Sequence, residues 1–486
     1  MNRLPVTFFT IVWFAACLSC KAQAERPSVE GKKPYFGTLH AHSILSGDVS
    51  STQGLTPKEA FDFARNAGLD FLGISDHHKP TGAPGGPKFN LDPAKYKSDL
   101  FDVATAINGD ASISFVAIPG IEWGTIATGN HLNVFGADTL PGDGITDTEY
   151  DDLIRWAATN ADFVQMNHPY SWGNVKKLDR NLDVGNYGRA RFPSEAKFVE
   201  AADPIVALMS IICTVQGGHI SGEHNASTEK THRDHKPSAL REYLRHLNMG
   251  FHLSPAANQD THGKNPGAVT AARTGVWASD LSYDNIIEAI KTNRVFATED
   301  DELAVSLRVE YGGKTYWMGG NVPLTTEEAD VTLLVDIHQL STTNDPTDEG
   351  PYTVILFSDS DGVGGKKAAE WDTFDARAGE TTRIEVPVVV GEYIFLEIVE
   401  QNGKDNPVGD GEDVEEPLDE RDNMNDSAWV TPVWFTGQAA GAAFVWSKHS
   451  KIYHDPNCWA VKRIGAANRR EGSAPAGKTK HACKPQ

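Results

Sequence analysis

Between residues 35 and 262 the chain places histidine, aspartate or glutamate at the ends of at least five short apolar runs, and few folds accommodate that. His40-Ala41-His42 closes the run from Tyr35 to Ser43, and Ser75-Asp76-His77-His78 closes the run that starts at Leu69. Ser114 to Ile121 leads into Glu122, Gly129-Asn130-His131 opens the run to Phe135, and Phe163 to Asn167 ends in Asn167-His168-Pro169. Gln259-Asp260-Thr261-His262 follows a run at 250–254. Such side chains are among the costliest to bury without a partner. A fold that gathers these run ends must compensate all of them, and metal ions do so at once.

The intervening segments say how they could be gathered. Thr56 reads as an N-cap, Pro57 as the first helical residue, Glu59 as the closing member of a capping box, and Gly68 as the helix stop. Ala60, Phe63, Ala64 and Ala67 fall at i, i+3, i+4 and i+7, which predicts one buried face. With strands at 35–43 and 69–75 this makes a βαβ unit with parallel strands. Further runs at 114–121, 131–135, 163–167, 205–214 and 250–254 alternate with helices near 148–160, 238–249 and 283–293. The expectation is an α/β fold, a closed or nearly closed parallel barrel with its site at the C-terminal strand ends.

From Leu303 the pattern changes to strand runs separated by Gly, Asp and Pro turns, at 306–311, 331–337, 352–357, 382–388, 393–399 and 429–435. An antiparallel β-sandwich is expected over 303–436, with the acidic stretch 404–426 as a solvated loop. Residues 437–443 read as a Gly/Ala linker, and 444–486 as a small basic C-terminal module.

Composition narrows the rest. Among 486 residues, 40% are apolar and 23% charged, which excludes wholesale disorder. Lys+Arg 44 against Asp+Glu 66 gives a net charge of -22, from which nucleic acid is expected to be excluded as a partner. A positive Met1-Asn2-Arg3, an apolar run from Leu4 to Ser19 and Ala22-Gln23-Ala24 read as a signal peptide over 1–24, so export to a periplasmic or extracellular location is expected. Cys20 leaves a lipid anchor open, the one membrane contact expected. Past Ala24 only Cys213, Cys458 and Cys483 remain, too few for a disulfide framework.

Two histidines spaced as in His40-Ala41-His42 project from one face of a strand end and form half of a metal site. In order, HxH, SDH, GxE, H, NHP and DxH, beginning in GTLHAHS, resemble the PHP (polymerase and histidinol phosphatase) superfamily; YFGTLHAHS and TPKEAFDFARNAGLDFLGISDHH look most like its carbaryl-hydrolase-related branch. The resemblance covers about residues 34–300. It implies a distorted (β/α)7 barrel holding two to three divalent cations (Zn, Mn or Fe). Carried over, His40, His42, Glu122 and Asp260 hold the first; Glu122 bridges to a second held by His131 and His168; His77 and His262 hold a third. Asp48 completes the third, where Ser46-Gly47-Asp48 inverts the family's usual SDG. Glu122, Asp260 and His168 are the expected catalytic residues.

The resemblance thus implies an ester-bond hydrolase using a metal-activated water on a small anionic or ester substrate, first a phosphoester, with a carbamate or carboxyl ester as alternative. A non-catalytic cell-surface binding protein on the same scaffold is the reading from another class. Plainer roles stand beside these. Asp76 could cap a turn or hold a ligand histidine, and His78 could be a surface residue. His219, His224, His232 and His235 lie in a polar loop. Arg273 could meet an anion or form an ion pair, and Asp359-Ser360-Asp361-Gly362 is a turn rather than a calcium loop. The tail resembles a small Ada-like metal-binding module. His454, Cys458, His481 and Cys483 would form a structural zinc site, with a Cys458–Cys483 disulfide as the rival.

Overall fold

The computed structural model describes residues 26–79, 89–124, 131–142, 145, 150–167, 195–215, 219–220, 243–340, 351–358, 369–400, 427–437, 444–447, 452–454, 469–472 and 479–480. These form a mixed α/β structure that is mostly sheet. Among them no helix is long and apolar enough to cross a membrane.

The N-terminal part carries β1 (Lys33–Ala41), β2 (Phe71–His78), β3 (Val116–Trp123), β4 (Leu132–Phe135), β5 (Phe163–Met166), β6 (Val206–Val215), β7 (His219–Ile220), β8 (Ser254–Asn258), β9 (Arg273–Ala278) and β10 (Val295–Thr298). β1, β2 and β3 run parallel, as the βαβ reading requires. The helix between β1 and β2, Pro57–Asn66, starts on the expected capping box: the Glu59 amide donates to Thr56 Oγ1 and the Thr56 amide to Glu59 Oε2. Its buried face is Pro57, Ala60, Phe61 and Ala64, whereas Ala67 is exposed, so the apolar stripe is rotated from the expected one.

The expected parallel barrel needs correction. β4 is antiparallel to both β3 and β5, and β9 lies antiparallel against β1 and β10. β5, β6 and β8 are parallel. β9 takes the free edge of β1 over Lys33 to Gly37, and β8 reaches β1 only through the isolated bridge Ala41–Thr261 and a hydrogen bond from the Leu39 amide to Asn258 Oδ1. The sheet is therefore not closed by a continuous ladder. The strand expected at 250–254 begins only at Ser254: Phe251 and Leu253 are buried from irregular chain.

The C-terminal part carries β11 (Leu303–Tyr311), β12 (Lys314–Trp317), β13 (Asn321–Leu324), β14 (Glu328–Gln339), β15 (Tyr352–Ser358), β16 (Ala369–Ala376), β17 (Thr381–Val389), β18 (Tyr393–Glu400) and β19 (Ser427–Gly437). β12, β11, β14 and β17 form a four-stranded antiparallel sheet, in which β17 alternates exposed and buried residues as a half-solvated strand should. The other layer is not a sheet of its own. β16, β15, β18 and β19 continue through the β10–β19 pairing, Phe296 opposite Val430, into the N-terminal strands, giving one 15-stranded sheet. Leu307, Val335, Leu356, Ile398 and Val430 share an apolar core with Phe36, Trp277 and Phe296 from the N-terminal part.

In the tail, Phe444–Ser447 pairs with Arg469–Gly472 and Ile452–Tyr453 with Thr479–Lys480, and His454 is buried. Residues 1–25, the loop 404–426, the linker 438–443, Cys458, His481 and Cys483 lie outside the described residues, so signal peptide, anchor, zinc and disulfide remain expectations.

Candidate metal centre

The polar run ends converge on one end of the N-terminal sheet. His40 lies on β1 and His42 just past its end, His77 and Glu122 lie near the C-terminal ends of the parallel neighbours β2 and β3, and register places His77 opposite Glu122. β4 runs the other way, so His131, just before it, falls at the same edge. Asp260 and His262 follow β8, whose bridge from Thr261 to Ala41 draws them to the end of β1. Asp260 holds φ 44, a left-handed conformation rare outside glycine and often found where function fixes the backbone.

Three overlapping groups result, in each of which the ligand atoms lie within 4.8 Å of one another: His40, His42, Glu122 and Asp260; His77, Glu122 and His131; and His42, Asp48, His77 and His262. In the first, His42 Nε2 lies 3.2 Å from His40 Nε2, 3.0 Å from Asp260 Oδ1 and 3.4 Å from Glu122 Oε2. His40 Nε2 is 3.2 Å from Asp260 Oδ1 and 3.3 Å from Glu122 Oε1. In the second, Glu122 Oε1 meets His131 Nδ1 at 2.7 Å and Oε2 meets His77 Nδ1 at 3.0 Å. In the third, Asp48 Oδ2 is 3.1 Å from both His77 Nε2 and His262 Nε2, and the His42 and His262 rings stack at 4.0 Å.

These spacings fit metal ligation. A tetrahedron with roughly 2.0–2.1 Å metal–ligand bonds has edges of about 3.3 Å, close to the 3.0–3.4 Å that separate the His40 and His42 nitrogens from each other and from the Asp260 and Glu122 oxygens. Protons on both facing imidazole nitrogens would set two N–H groups 3.2 Å apart, whereas one cation accepts a lone pair from each. His262 can donate from Nδ1 to the Asp260 carbonyl oxygen at 3.0 Å, leaving Nε2 as the ligand atom. Nitrogen and carboxylate oxygen without thiolate suit borderline divalent cations.

Electrostatics follow from crowding. Burial alone would raise the carboxyls of Glu122, Asp260 and Asp48, but the histidines around them outweigh it and hold all three below the usual carboxylate range. Burial lowers His40 and His77 despite their carboxylate neighbours. Burial opposes protonation of His42 too, yet its bonds to Asp260 and Glu122 win and raise its pKa well above the ordinary value.

His168, expected with His131 in the second group, lies outside the described residues, as do His224, His232, His235 and the Asp359–Gly362 turn. Asp76 is fully buried and accepts from the Ser43 amide at 2.6 Å and from Ser43 Oγ at 2.7 Å, so it fixes the chain immediately after His42. His78 is not a surface residue: it is buried against Trp123, and its Nδ1 accepts from the Leu91 amide. Arg273 is structural, donating to the Thr270 and Ala272 carbonyls and pairing with Asp301 at 3.2 Å.

Sequence reading passed over the amides beneath the cluster. Asn133, Gln165, Asn167 and Asn258 are all fully buried on or beside strands β4, β5 and β8. Uncharged amides inside otherwise apolar strand runs were the available signal, since each needs buried partners.

No family profile and no curated protein matches the chain. Among solved structures it is similar to a two-domain protein from Bacteroides vulgatus containing a predicted PHP-like metal-dependent phosphoesterase, at 15% identity over 77% of this chain and 92% of that one, with a TM-score of 0.39. It is also similar to the lesion-specific endonuclease Q of Pyrococcus furiosus, at 14% identity over 59% of this chain and 58% of that one, TM-score 0.32. A third is endonuclease Q in complex with a 27-mer duplex carrying an abasic lesion at its active site, at 12% identity over 53% and 56%, TM-score 0.29. The last corrects the expectation about partners. That protein is bound to a DNA duplex, which stands against the expectation that nucleic acid is excluded as a partner. Net charge averages the whole surface and omits cations held at a site, where the local field decides. Nothing in the geometry selects a small-molecule substrate.

Proposed function

We propose that the chain is a metal-dependent hydrolase of the PHP type acting on phosphoesters. The single observation that carries this is Glu122, buried at 1% exposure, with one oxygen toward His131 and the other toward His77 while both face the His40–His42 pair. A carboxylate shared by two nitrogen-rich groups is the arrangement that bridges two cations. Divalent cations held there would lower the pKa of a water and polarise a phosphoryl oxygen. His40, His42, Glu122 and Asp260 would hold one, Glu122 and His131 a second, with His168 as the expected further ligand, and Asp48, His77 and His262 a third, since a neutral imidazole has one lone pair to give and serves one cation only.

The chain's own groups divide the remaining work. Asp76 and Ser43 fix the backbone that carries His42, and Ser46 Oγ donates to Asp48 Oδ1 while accepting from the His77 amide, which ties the third group to β2. Asp48 and His262, at 27% and 12% side-chain exposure, form the rim, against 0% and 1% for His40 and Glu122 at the floor. Among the described residues, the cluster is thus most open to solvent at Asp48. The solved structures similar in fold are named as a phosphoesterase and an endonuclease, the same reaction class.

The test uses full-length protein, chelated and reloaded with Mn or Zn, against an aryl phosphate, a bis-aryl phosphate, a duplex oligonucleotide and an aryl carbamate. Metal-dependent cleavage of a phosphoester that Glu122→Ala abolishes is expected. Turnover of the carbamate alone would replace phosphoester with carbamate hydrolysis, and metal binding without any turnover would favour the cell-surface binding protein.

A further inference from the structure

We infer that Asn167 is a positioning residue for the bridging carboxylate, and that it orients Glu122 through a buried amide network anchored on β1. The inference rests on the metal-centre reading above and concerns how that centre is held. Asn167 is fully buried, and its Nδ2 donates to Glu122 Oε1 at 3.1 Å and to Asn133 Oδ1 at 2.6 Å, while its Oδ1 accepts from Gln165 Nε2 at 2.8 Å. All three bonds agree on one orientation of the amide. Turned over, it would set its oxygen against both the Glu122 carboxylate and Asn133 Oδ1.

The network does not stop there. Asn133 Nδ2 donates to the Leu39 carbonyl at 3.0 Å, and Gln165 Nε2 reaches the same oxygen at 3.4 Å. Leu39 immediately precedes His40, and its amide donates to Asn258 Oδ1 at 2.8 Å. Asn258 lies two residues before Asp260 and donates onward to Ser210 Oγ. Glu122, the strand bearing His40 and the strand leading to Asp260 are thus tied by one chain of uncharged donors and acceptors.

The chemistry explains why an amide suits this place. Glu122 must present both oxygens to cations, so a rival cation such as lysine below it would compete for the charge. An amide N–H fixes the carboxylate plane with a directed bond and leaves its charge available.

Chelated full-length protein is titrated with Zn or Mn by calorimetry, with thermal unfolding of the metal-free form measured alongside. Asn167→Ala should weaken the binding of at least one metal equivalent by about 10–100-fold and lower kcat with little change in KM. Asn167→Ser, whose hydroxyl can still donate, should recover part of the affinity, and Asn167→Asp should lose the most. A folded Asn167→Ala with wild-type affinity and stoichiometry overturns the proposal. If the alanine variant does not fold, equal affinities in the Ser and Asp variants overturn it. Wild-type protein that binds no metal would instead sink the metal-centre reading, a different outcome from either.

Discussion

Glu122 and Asp48 occupy opposite ends of the cluster, and their substitutions should separate its parts. Glu122 is shared by the two inner groups, so Glu122→Gln, which keeps volume and removes charge, should strip two metal equivalents. Asp48 belongs to the rim group alone, so Asp48→Asn should weaken one equivalent by at least about tenfold and leave the other two. Elemental analysis after desalting reads both, and equal losses from the two variants would contradict the sharing. His42 sets the pH dependence. Its raised folded pKa stabilises the metal-free chain fully below the unfolded value of 6.5, and that contribution is lost as pH rises through the folded value. Ligation needs the neutral ring, so metal affinity runs the other way and rises with pH. Calorimetry in two buffers of different ionisation enthalpy should therefore show proton release on metal addition. Affinity that stays flat between about pH 6 and about pH 8 would show that His42 carries no proton to displace. These residues were legible in the sequence because histidines and carboxylates at the ends of apolar runs have few explanations other than a shared ligand. Asn167 was not, because an amide draws attention only once its partners are known.

At the scale of elements, the strands that carry ligands were legible and those that hold them in place were less so. β2 and β3 meet Phe135 of β4 through two glycines. A Cβ on Gly120 would lie 2.4 Å from the Phe135 ring and 2.8 Å from the Val134 carbonyl oxygen, and one on Gly73 would lie 2.9 Å from the same ring. Phe135 cannot readily give way, since its ring is fully buried and stacked on Phe163, and at Gly120 the Val134 backbone would block a side chain even if it did. Gly120→Ala should therefore cost about 1–3 kcal/mol. Because Glu122 follows two residues later on the same strand, the variant should lose metal affinity as well as melting temperature. Gly68→Ala, at a helix end with φ 93 and open space around it, is the control: it should lower stability through backbone strain and spare metal binding. β9 and β10 went unnoticed because Arg273-Thr274-Gly275 and the short Val295–Thr298 lack a long apolar alternation. Their pairing depends on partners distant in sequence, β1 and β19, which no local pattern announces.

Across the whole molecule, the change of pattern at Leu303 marks a change of element type and not a gap in the structure. β10 is hydrogen-bonded to β9 on one side and to β19 on the other, so the sheet that carries the metal centre at one end runs unbroken into the C-terminal layers. Trp277 donates its indole N–H to the Val305 carbonyl at 2.8 Å, and Thr431 Oγ1 donates to Val295 O at 2.6 Å, each crossing the expected boundary. Tyr393 and Trp434 from the C-terminal part lie in the apolar cluster of the N-terminal one, and Tyr393 Oη donates to Asn248 at 2.8 Å. A chain ended at residue 302 would uncover Phe36, Trp277 and Phe296, each worth about 1.5–3 kcal/mol when fully buried. Their sum approaches the 5–15 kcal/mol, roughly, that holds a typical domain folded. It would also leave β10 with an unpaired edge open to association with other chains. The expected result is that residues 26–302 alone are aggregated, or melt far below the full-length protein, with metal uptake lost. Removal of 438–486 should by contrast leave metal uptake and turnover unchanged, since among the described residues every group at the centre precedes residue 263. A soluble 26–302 fragment with full-length melting temperature and metal stoichiometry would show that the shared sheet contributes nothing to the site, and that the C-terminal layers are an appendage.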